Sequence, residues 1–196
     1  MACGGHGYSQ ASAFPEIYSY AVGGCTYEGE NIVMLLQVAR SLMKIVEKLR
    51  NGSSNFPEIC NYIAQQGLAH SKFTSWDSYT DADIVHDFEH VARKQIFRAY
   101  EILKKNQRET TREEAWNRSS IELCRASRAH VRLYLVKNFL KKVATCSDAT
   151  IRSPLTDLTR LYAFDIISHA QGDFLKVKIF LNIQITLGWI HVRQSG

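Results

Sequence analysis

The chain has 196 residues, of which 45% are hydrophobic and 22% charged, a balance typical of a folded globular protein and not of a disordered one. Its net charge of +5 is spread over helical faces and not gathered into one run, which favours a solvated surface over a nucleic-acid site. Five scattered cysteines without a C-x-x-C pair indicate free thiols in a reducing compartment, and no apolar run reaches the roughly 18 residues that a membrane span needs.

The first predicted feature is a glycine-rich loop, "CGGHGYS", at residues 3–9. Glycines let the backbone approach a ligand closely, and their free N–H groups suit phosphates. A second loop, "CTYEGEN" at residues 25–31, places two carboxylates around one glycine. Taken singly, each loop is more typical of a surface turn, and a phosphate site or a catalytic base is the alternative.

A long helix is predicted directly after the second loop. Apolar residues recur at three- and four-residue spacing up to about residue 50, and Asn31 stands where an N-cap is expected. The turn residues "NGSSNFPE" end this helix, and a short helical piece follows around Tyr62. Residues 70–80 are polar and predict a connecting loop, and the helical spacing returns from Asp83 to about Lys105.

Two further helices complete the predicted fold. Thr111 and Glu114 have the spacing of a capping box, which would open one helix of more than 30 residues ending near Ala144. Ser153 as N-cap, with Pro154 at the first helical position, would open the next helix. Gly172 could cap that helix at its end, so the sequence predicts an all-α bundle of antiparallel helices.

The last segment, residues 177–196, does not follow the helical pattern. Its apolar residues alternate with period two, which is typical of a strand, yet no partner strand is predicted and an isolated strand is not stable. His86 and His90 have the i, i+4 spacing that can bind a metal, but no third ligand is evident. Solvated or core-edge histidines are the favoured interpretation, and no metal site is predicted.

The two loops taken together are more specific than either alone. "GGHGY" followed by "CTYEGENIVMLLQVARSLMK" resembles the peroxisomal acyl-CoA oxidases, relatives of the acyl-CoA dehydrogenases. The resemblance continues through "AWNRSSIELCRASRAHVRLYLVKNF" and "LTDLTRLYAFDIISHAQGDFL", so it covers residues 1 to about 176. That length beyond the second loop favours an oxidase over a dehydrogenase.

The resemblance implies a division of the chain. Residues 1–50 would be the end of the first C-terminal helical domain of an oxidase, and residues 51–81 a linker with a short helix. Residues 82–176 would be the second C-terminal helical domain, and residues 177–196 a divergent tail. The N-terminal helical and β-barrel-like domains of complete oxidases are not in this sequence, and its end "RQSG" is not an address of the Ser-Lys-Leu type.

The resemblance also implies the site residues. Glu28 matches the catalytic base that takes the α-proton of the acyl-CoA, and its backbone N–H is expected to hold the thioester carbonyl together with a flavin hydroxyl. Gly29 gives the thioester room beside it. The residues expected to contact FAD are Gly4, Gly5, Glu30 and Asn31. The two glycines match a loop that touches the FAD of a neighbouring subunit, and Glu30 and Asn31 lie where the family contacts the flavin or adenosine part.

The activity implied by the resemblance is oxidation of a fatty acyl-CoA to a trans-2-enoyl-CoA by FAD, with electrons passed to O2 to give H2O2. A peroxisomal homodimer is implied with it. Because a base without a flavin beside it has no hydride acceptor, the isolated chain is expected neither to bind FAD tightly nor to oxidise acyl-CoA. The alternative is an inactive helical fragment that acts at most as a dimerisation module.

Overall fold

The computed structural model describes residues 3–27, 29–65 and 78–176, with the backbone only for residues 175 and 176. All regular structure in these ranges is helical, which confirms the all-α prediction. The predicted strand pattern of residues 177–196, and most of the predicted loop at 70–80, lie outside the described residues. The α-helices are α1 (Phe14–Gly23), α2 (Asn31–Arg50), α3 (Asp81–Glu109), α4 (Arg112–Arg118), α5 (Ser120–Ala144), α6 (Ala149–His169) and α7 (Gln171–Lys176). Short 3-10 helices span Gly4–Gly7, Gln10–Ser12 and Glu58–Ile63.

Helix α5 lies at the centre of the bundle, in contact with α2, α3 and α6. The long helices turn one apolar face inward because their hydrophobic residues recur at helical spacing. The resulting core is continuous, and its fully covered members include Ala39, Leu42, Val46, Ile84, Ala92, Ile96, Leu123, Leu133 and Val136. None of the described helices is long and apolar enough to cross a bilayer.

Helix α3 begins with a complete capping box. The Thr80 hydroxyl accepts a hydrogen bond from the Asp83 backbone N–H at 3.2 Å, and the Asp83 carboxylate accepts one from the Thr80 N–H at 3.0 Å. These bonds satisfy N–H groups that a helix start leaves free. The helix therefore starts at Asp81 and runs to Glu109, slightly beyond the predicted end at Lys105.

The single helix predicted from Thr111 to Ala144 is wrong in one respect, because the chain breaks at Ser119 into α4 and α5. The predicted start is confirmed, since the Thr111 hydroxyl accepts from the Glu114 N–H at 3.3 Å. Ser119 is fully buried, and its hydroxyl donates to the Ala115 carbonyl at 2.8 Å while accepting from the Asn106 amide at 2.9 Å. A buried serine bonded back onto its own helix favours a bend at that point.

The predicted start of α6 at Ser153 and Pro154 is also wrong. The helix begins five residues earlier, where the Asp148 carboxylate accepts from the Thr150 N–H at 2.8 Å. Bonds from Thr150 lower the pKa of Asp148, so the cap is charged at neutral pH. Pro154 lies inside the helix, and Gly172, predicted to cap it, lies within α7 instead.

A buried pair of polar side chains joins the short 3-10 helix to α5. The Tyr62 hydroxyl lies 2.8 Å from the His130 Nδ1 atom, and both residues are buried. Burial lowers the pKa of His130 and raises that of Tyr62, so both groups are held in their neutral forms. The neutral hydroxyl can then donate to the imidazole nitrogen, which satisfies both groups.

This pair predicts a pH dependence of stability. Below about pH 6.5 the unfolded chain takes up a proton at His130 that the folded chain resists, so the free energy of unfolding should fall by up to about 1.4 kcal/mol per pH unit. Urea unfolding between pH 7.5 and 5 measures the slope. His130→Asn should flatten it, whereas the control His6→Asn, in an exposed turn, should not. An equal slope in wild type and His130→Asn would contradict the prediction.

Candidate functional site

The residues singled out from the sequence lie in the N-terminal segment that leads into α2. This segment is open, since α1 has no buried residue and the first turn of α2 exposes about half of Ile32 and Val33. Glu28, the predicted base, lies outside the described residues.

Gly29 has a backbone conformation that only glycine adopts readily. Its φ angle is +126°, and a Cβ atom placed there would lie 3.0 Å from the Met34 sulfur. A side chain would meet both backbone strain and a close contact. The sequence predicted this glycine as space for a substrate, and the structure adds that the backbone itself requires it.

We expect Gly29→Ala to lower the free energy of unfolding by about 1–2 kcal/mol, because an L-residue is strained at this φ. The matched control is Gly172→Ala, where a Cβ meets nothing within 4 Å. Alanine is favoured over glycine in a helix, so this control should be neutral or slightly stabilising. Chemical denaturation measures the free energy of unfolding of the two variants. Equal values for Gly29→Ala and Gly172→Ala would contradict the predicted strain at Gly29.

Glu30, predicted to contact FAD, caps α2 in the structure. Its carboxylate accepts from the backbone N–H of Ile32 at 2.9 Å and of Val33 at 3.1 Å. The prediction of Asn31 as the N-cap is wrong, because Asn31 is already the first residue of the helix. The reason is that a glutamate one position earlier reaches two free N–H groups and places its charge at the positive end of the helix. Contact of Glu30 or Asn31 with a flavin stays a prediction.

A buried side chain on α5 is hydrogen-bonded to the second turn of α2. The Ser127 hydroxyl, fully buried on α5, donates to the Leu35 carbonyl at 2.7 Å. This bond joins the helix that follows the predicted catalytic loop to the central helix of the bundle. A site at residues 28–31 would therefore be carried by a rigid element on one side, as a positioned base requires.

The glycine loop forms its own turn in the same segment. Gly4 has a φ of +53°, and a Cβ at either Gly4 or Gly5 would meet nothing within 4 Å. The turn is held by local bonds, with the Ser9 N–H donating to the Gly5 carbonyl at 2.9 Å and the Ser12 hydroxyl to the His6 carbonyl. Open space around the glycines is what close approach of a flat ligand needs.

Within the described ranges, the structure brings Gly29, Glu30 and Asn31 together at the start of α2 and leaves Gly4 and Gly5 in a separate turn. A feature that the sequence did not predict lies between them. Helix α1 starts with Pro15 near its first position and exposes large apolar side chains. These are Phe14 (47% exposed), Ile17 (60%), Tyr18 (70%), Tyr20 (80%) and Val22 (47%). A proline followed by an apolar, aromatic run is the sequence signal that could have predicted this helix.

All five cysteines are free thiols, as the sequence predicted, with Cys3 and Cys25 exposed and Cys60 buried, and the reducing compartment stays a prediction. Burial raises the pKa of Cys60, which therefore stays a neutral thiol. No group of three or more metal-ligating side chains occurs among the residues that the structure describes. His86 instead lies 3.4 Å from the buried carboxylate of Asp87, which also accepts from the Tyr79 hydroxyl at 2.7 Å.

Two family models match the chain. The one described as acyl-CoA oxidase, C-alpha1 domain, covers residues 1–43, and the one described as acyl-CoA oxidase covers residues 80–190. The second match therefore runs past Lys176, where the sequence predicted the resemblance to end. Both matches include segments that carry the motifs, since the first contains both loops and the second contains α3 to α7.

Curated relatives and solved structures agree with these models. Acyl-coenzyme A oxidase acox-1.4 of Caenorhabditis elegans is 42% identical over 94% of this chain and 29% of its own length. Peroxisomal acyl-coenzyme A oxidase 1 of Rattus norvegicus is 35% identical over 95% of this chain and 29% of its own. The chain thus spans less than a third of the curated relatives it matches.

Among solved structures, acyl-CoA oxidase-1 of C. elegans complexed with FAD and ATP superposes with a TM-score of 0.84 at 36% identity, over 98% of this chain and 30% of that one. Acyl-CoA oxidase-2 of the same organism, bound with FAD, ascaroside-CoA and ATP, superposes with a TM-score of 0.81 at 36% identity. That match covers 98% of this chain and 28% of the other. The helical arrangement of this chain is therefore that of the corresponding part of these proteins.

Proposed function

The chain belongs to the acyl-CoA oxidase family, and from this we propose that it carries the catalytic base and the C-terminal helices of an FAD-dependent acyl-CoA oxidase. The reaction would convert a fatty acyl-CoA to a trans-2-enoyl-CoA and reduce O2 to H2O2, the first step of peroxisomal β-oxidation. A CoA thioester as substrate is supported by the neighbour bound with ascaroside-CoA, and a peroxisomal location by the name of the rat relative.

The observation that supports the proposal is the start of α2, where one oxygen of the Glu30 carboxylate accepts from two helix N–H groups, so that Glu30 acts as the cap of this helix. Glu28 is the other carboxylate of this loop, and in our proposal it takes the α-proton of the thioester. Its backbone N–H holds the thioester carbonyl, where negative charge develops as the proton leaves.

The described residues fit a bound FAD in one respect. Gly4 and Gly5 carry no side chain, and the space that a side chain would occupy is open. These glycines would receive the cofactor of a neighbouring subunit, and Glu30 and Asn31 would lie near its flavin or adenosine part. FAD, when bound, supplies the acceptor for the hydride of the β-carbon. The chain's own contribution is to orient the thioester at Gly29 and to remove the α-proton at Glu28.

A chimeric enzyme tests this proposal. Residues 1–176 of this chain would replace the matching segment of the rat oxidase, which supplies the rest of the flavin site. We expect the chimera to retain FAD and to form peroxide when an acyl-CoA is added. A folded chimera with bound FAD but without acyl-CoA-dependent peroxide would overturn the proposal. The isolated 196-residue chain, purified in parallel, should show neither flavin absorbance nor peroxide formation.

A second candidate function, a helical module that pairs with another copy, is favoured by the exposed apolar face of α1. Tyr18 and Tyr20 are 70% and 80% exposed there, and aromatic side chains of this kind are enriched at interfaces. Sedimentation equilibrium of the chain tests for a homodimer. Ile17→Ser should shift the chain towards monomer, whereas Ile121→Ser, on the exposed face of α5, should not.

Since the two C. elegans oxidases described above were solved with ATP bound, we propose an adenine nucleotide as a further ligand of this chain. Binding of ATP to the 196-residue chain, measured by calorimetry, tests this separately from the oxidase reaction.

A further inference from the structure

A groove of about 460 Å³ lies between the 3-10 helix Glu58–Ile63, α3 and α5, and its volume is in the range of known ligand pockets. No described residue of the loop at 25–31 lines it, so the groove is separate from the proposed catalytic site. Its walls are mostly apolar, and the side chains that form them are Ile59, Val85, Leu133, Tyr134 and Leu140. Ile59 and Tyr134 are about half exposed, so the groove is open to an incoming ligand.

A buried hydrogen-bond donor faces this groove. His130 lines the groove although it is only 6% exposed, and the Tyr62 hydroxyl occupies its Nδ1 atom at 2.8 Å. No described residue bonds to the other ring nitrogen, Nε2, and no described side chain has an enclosed polar atom without a partner, so Nε2 is open to the groove. Because the hydroxyl donates to Nδ1, the proton of the neutral ring is on Nε2. The groove therefore offers an N–H group to a ligand with an acceptor oxygen.

Three further polar side chains of the groove have no partner among the described residues. The Asn138 amide offers a donor and an acceptor together, which is what a peptide group needs. Glu58, on the 3-10 helix, and Lys141, on α5, bring opposite charges to the two walls. Lys137, by contrast, is paired with the Glu89 carboxylate at 2.9 Å. The groups left for a ligand are therefore one amide, one carboxylate and one ammonium.

We propose that this groove binds an extended peptide segment of a partner protein, with a peptide carbonyl accepting from His130 and aliphatic side chains packed on the apolar walls. Asn138 pairs with a second peptide group, while Glu58 and Lys141 recognise a basic residue at one end of the segment and an acidic residue at the other. Leu133 and Lys141 lie eight positions apart on α5, roughly 12 Å, which is the length of about four extended residues. The proposal is independent of the oxidase reaction.

Other ligands match these groups less well. The carboxylate of a fatty acid would accept from His130, but it would face the Glu58 carboxylate and leave the Asn138 amide unused. A helix of a second copy, such as α1, has its backbone carbonyls bonded within the helix and offers free ones only at its end. Nucleic acid would need a longer basic surface than one unpaired ammonium supplies. An extended peptide is the ligand that uses the donor, the amide and both charges.

Fluorescence anisotropy of labelled pentapeptides tests the site on the 196-residue chain. Each peptide has blocked ends and three aliphatic residues between a lysine and an aspartate, and the two peptides differ only in the order of the charges. Wild type should bind one charge order about tenfold more tightly than the other, because two attractions become two repulsions. Glu58→Lys/Lys141→Glu exchanges the charges of the groove and should reverse this preference. The control Glu109→Lys/Lys142→Glu makes the same exchange at exposed positions outside the groove and should keep it.

NMR of the imidazole N–H signals reports on the buried donor. The Nε2–H signal of His130, identified by its loss in His130→Asn, should shift when the preferred peptide is added. Binding of neither peptide, an unchanged preference in the groove variant, or a bound peptide that leaves the His130 signal unmoved would overturn the proposal. Decanoate that displaced the peptide and bound more tightly would assign the groove to an aliphatic acid and would equally overturn it.

Discussion

Replacing Glu28 with glutamine in the chimeric oxidase should lower acyl-CoA-dependent peroxide formation by about 10³-fold, the amount typical of a lost general base. Glutamine has nearly the same shape as glutamate but cannot take the α-proton. The loss should fall on kcat, with little change in KM, because the side chain acts on the proton and not on the CoA. Anaerobic reduction of the flavin by acyl-CoA measures this step directly, before O2 takes part.

The matched control is Glu109→Gln, an exposed glutamate at the end of α3, which should react like the parent chimera. Flavin absorbance must be equal in all three proteins, so that loss of cofactor is not mistaken for loss of the base. A Glu28→Gln variant that reduces its flavin as fast as the parent would remove Glu28 from the proposed mechanism. It would leave the family membership of the chain untouched.

Truncation of Phe174 to alanine should lower the free energy of unfolding by about 3–5 kcal/mol, a large share of the 5–15 kcal/mol typical of a domain. Phe174 is 2% exposed and packs edge-to-face on Phe88, with ring centres 5.2 Å apart. Beside it, the Gln95 amide donates to the Asp173 carboxylate at 2.9 Å. These contacts attach α7 to the middle of α3, and the cavity left by Phe174→Ala would weaken that attachment.

Urea unfolding followed by far-UV circular dichroism measures the effect. The control Ile121→Ala removes a side chain that is 66% exposed and should change stability by less than about 0.5 kcal/mol. If Phe174→Ala lowered the free energy of unfolding by as little as Ile121→Ala does, α7 would not be part of the cooperative core.

The long helices could be predicted because each buries one face, and that periodicity is written in the sequence. Helix starts were harder, since several residues can cap a helix. Ser153 before Pro154 has the composition of a start, yet Asp148 is the cap in the structure. Its carboxylate accepts two bonds from Thr150, through the N–H at 2.8 Å and the hydroxyl at 2.6 Å. A charged acceptor with two donors outweighs the local preference of a serine.

The site was predicted from resemblance and not from spacing, and the structure shows why spacing could not suffice. Two glutamates flank Gly29, and a sequence does not reveal which carboxylate the following helix takes up. The geometry assigns that role to Glu30. The break at Ser119 was hidden for a similar reason, because it depends on the amide of Asn106, which lies on another helix.

The bond from Ser127 to the Leu35 carbonyl has a consequence for motion. Because a fully buried hydroxyl on α5 holds the second turn of α2, thermal displacements of that turn follow the bundle and not the exposed α1. Because Glu30 caps the helix that starts at Asn31, this cap lies about one helical turn from a point that is bonded to the central helix of the bundle.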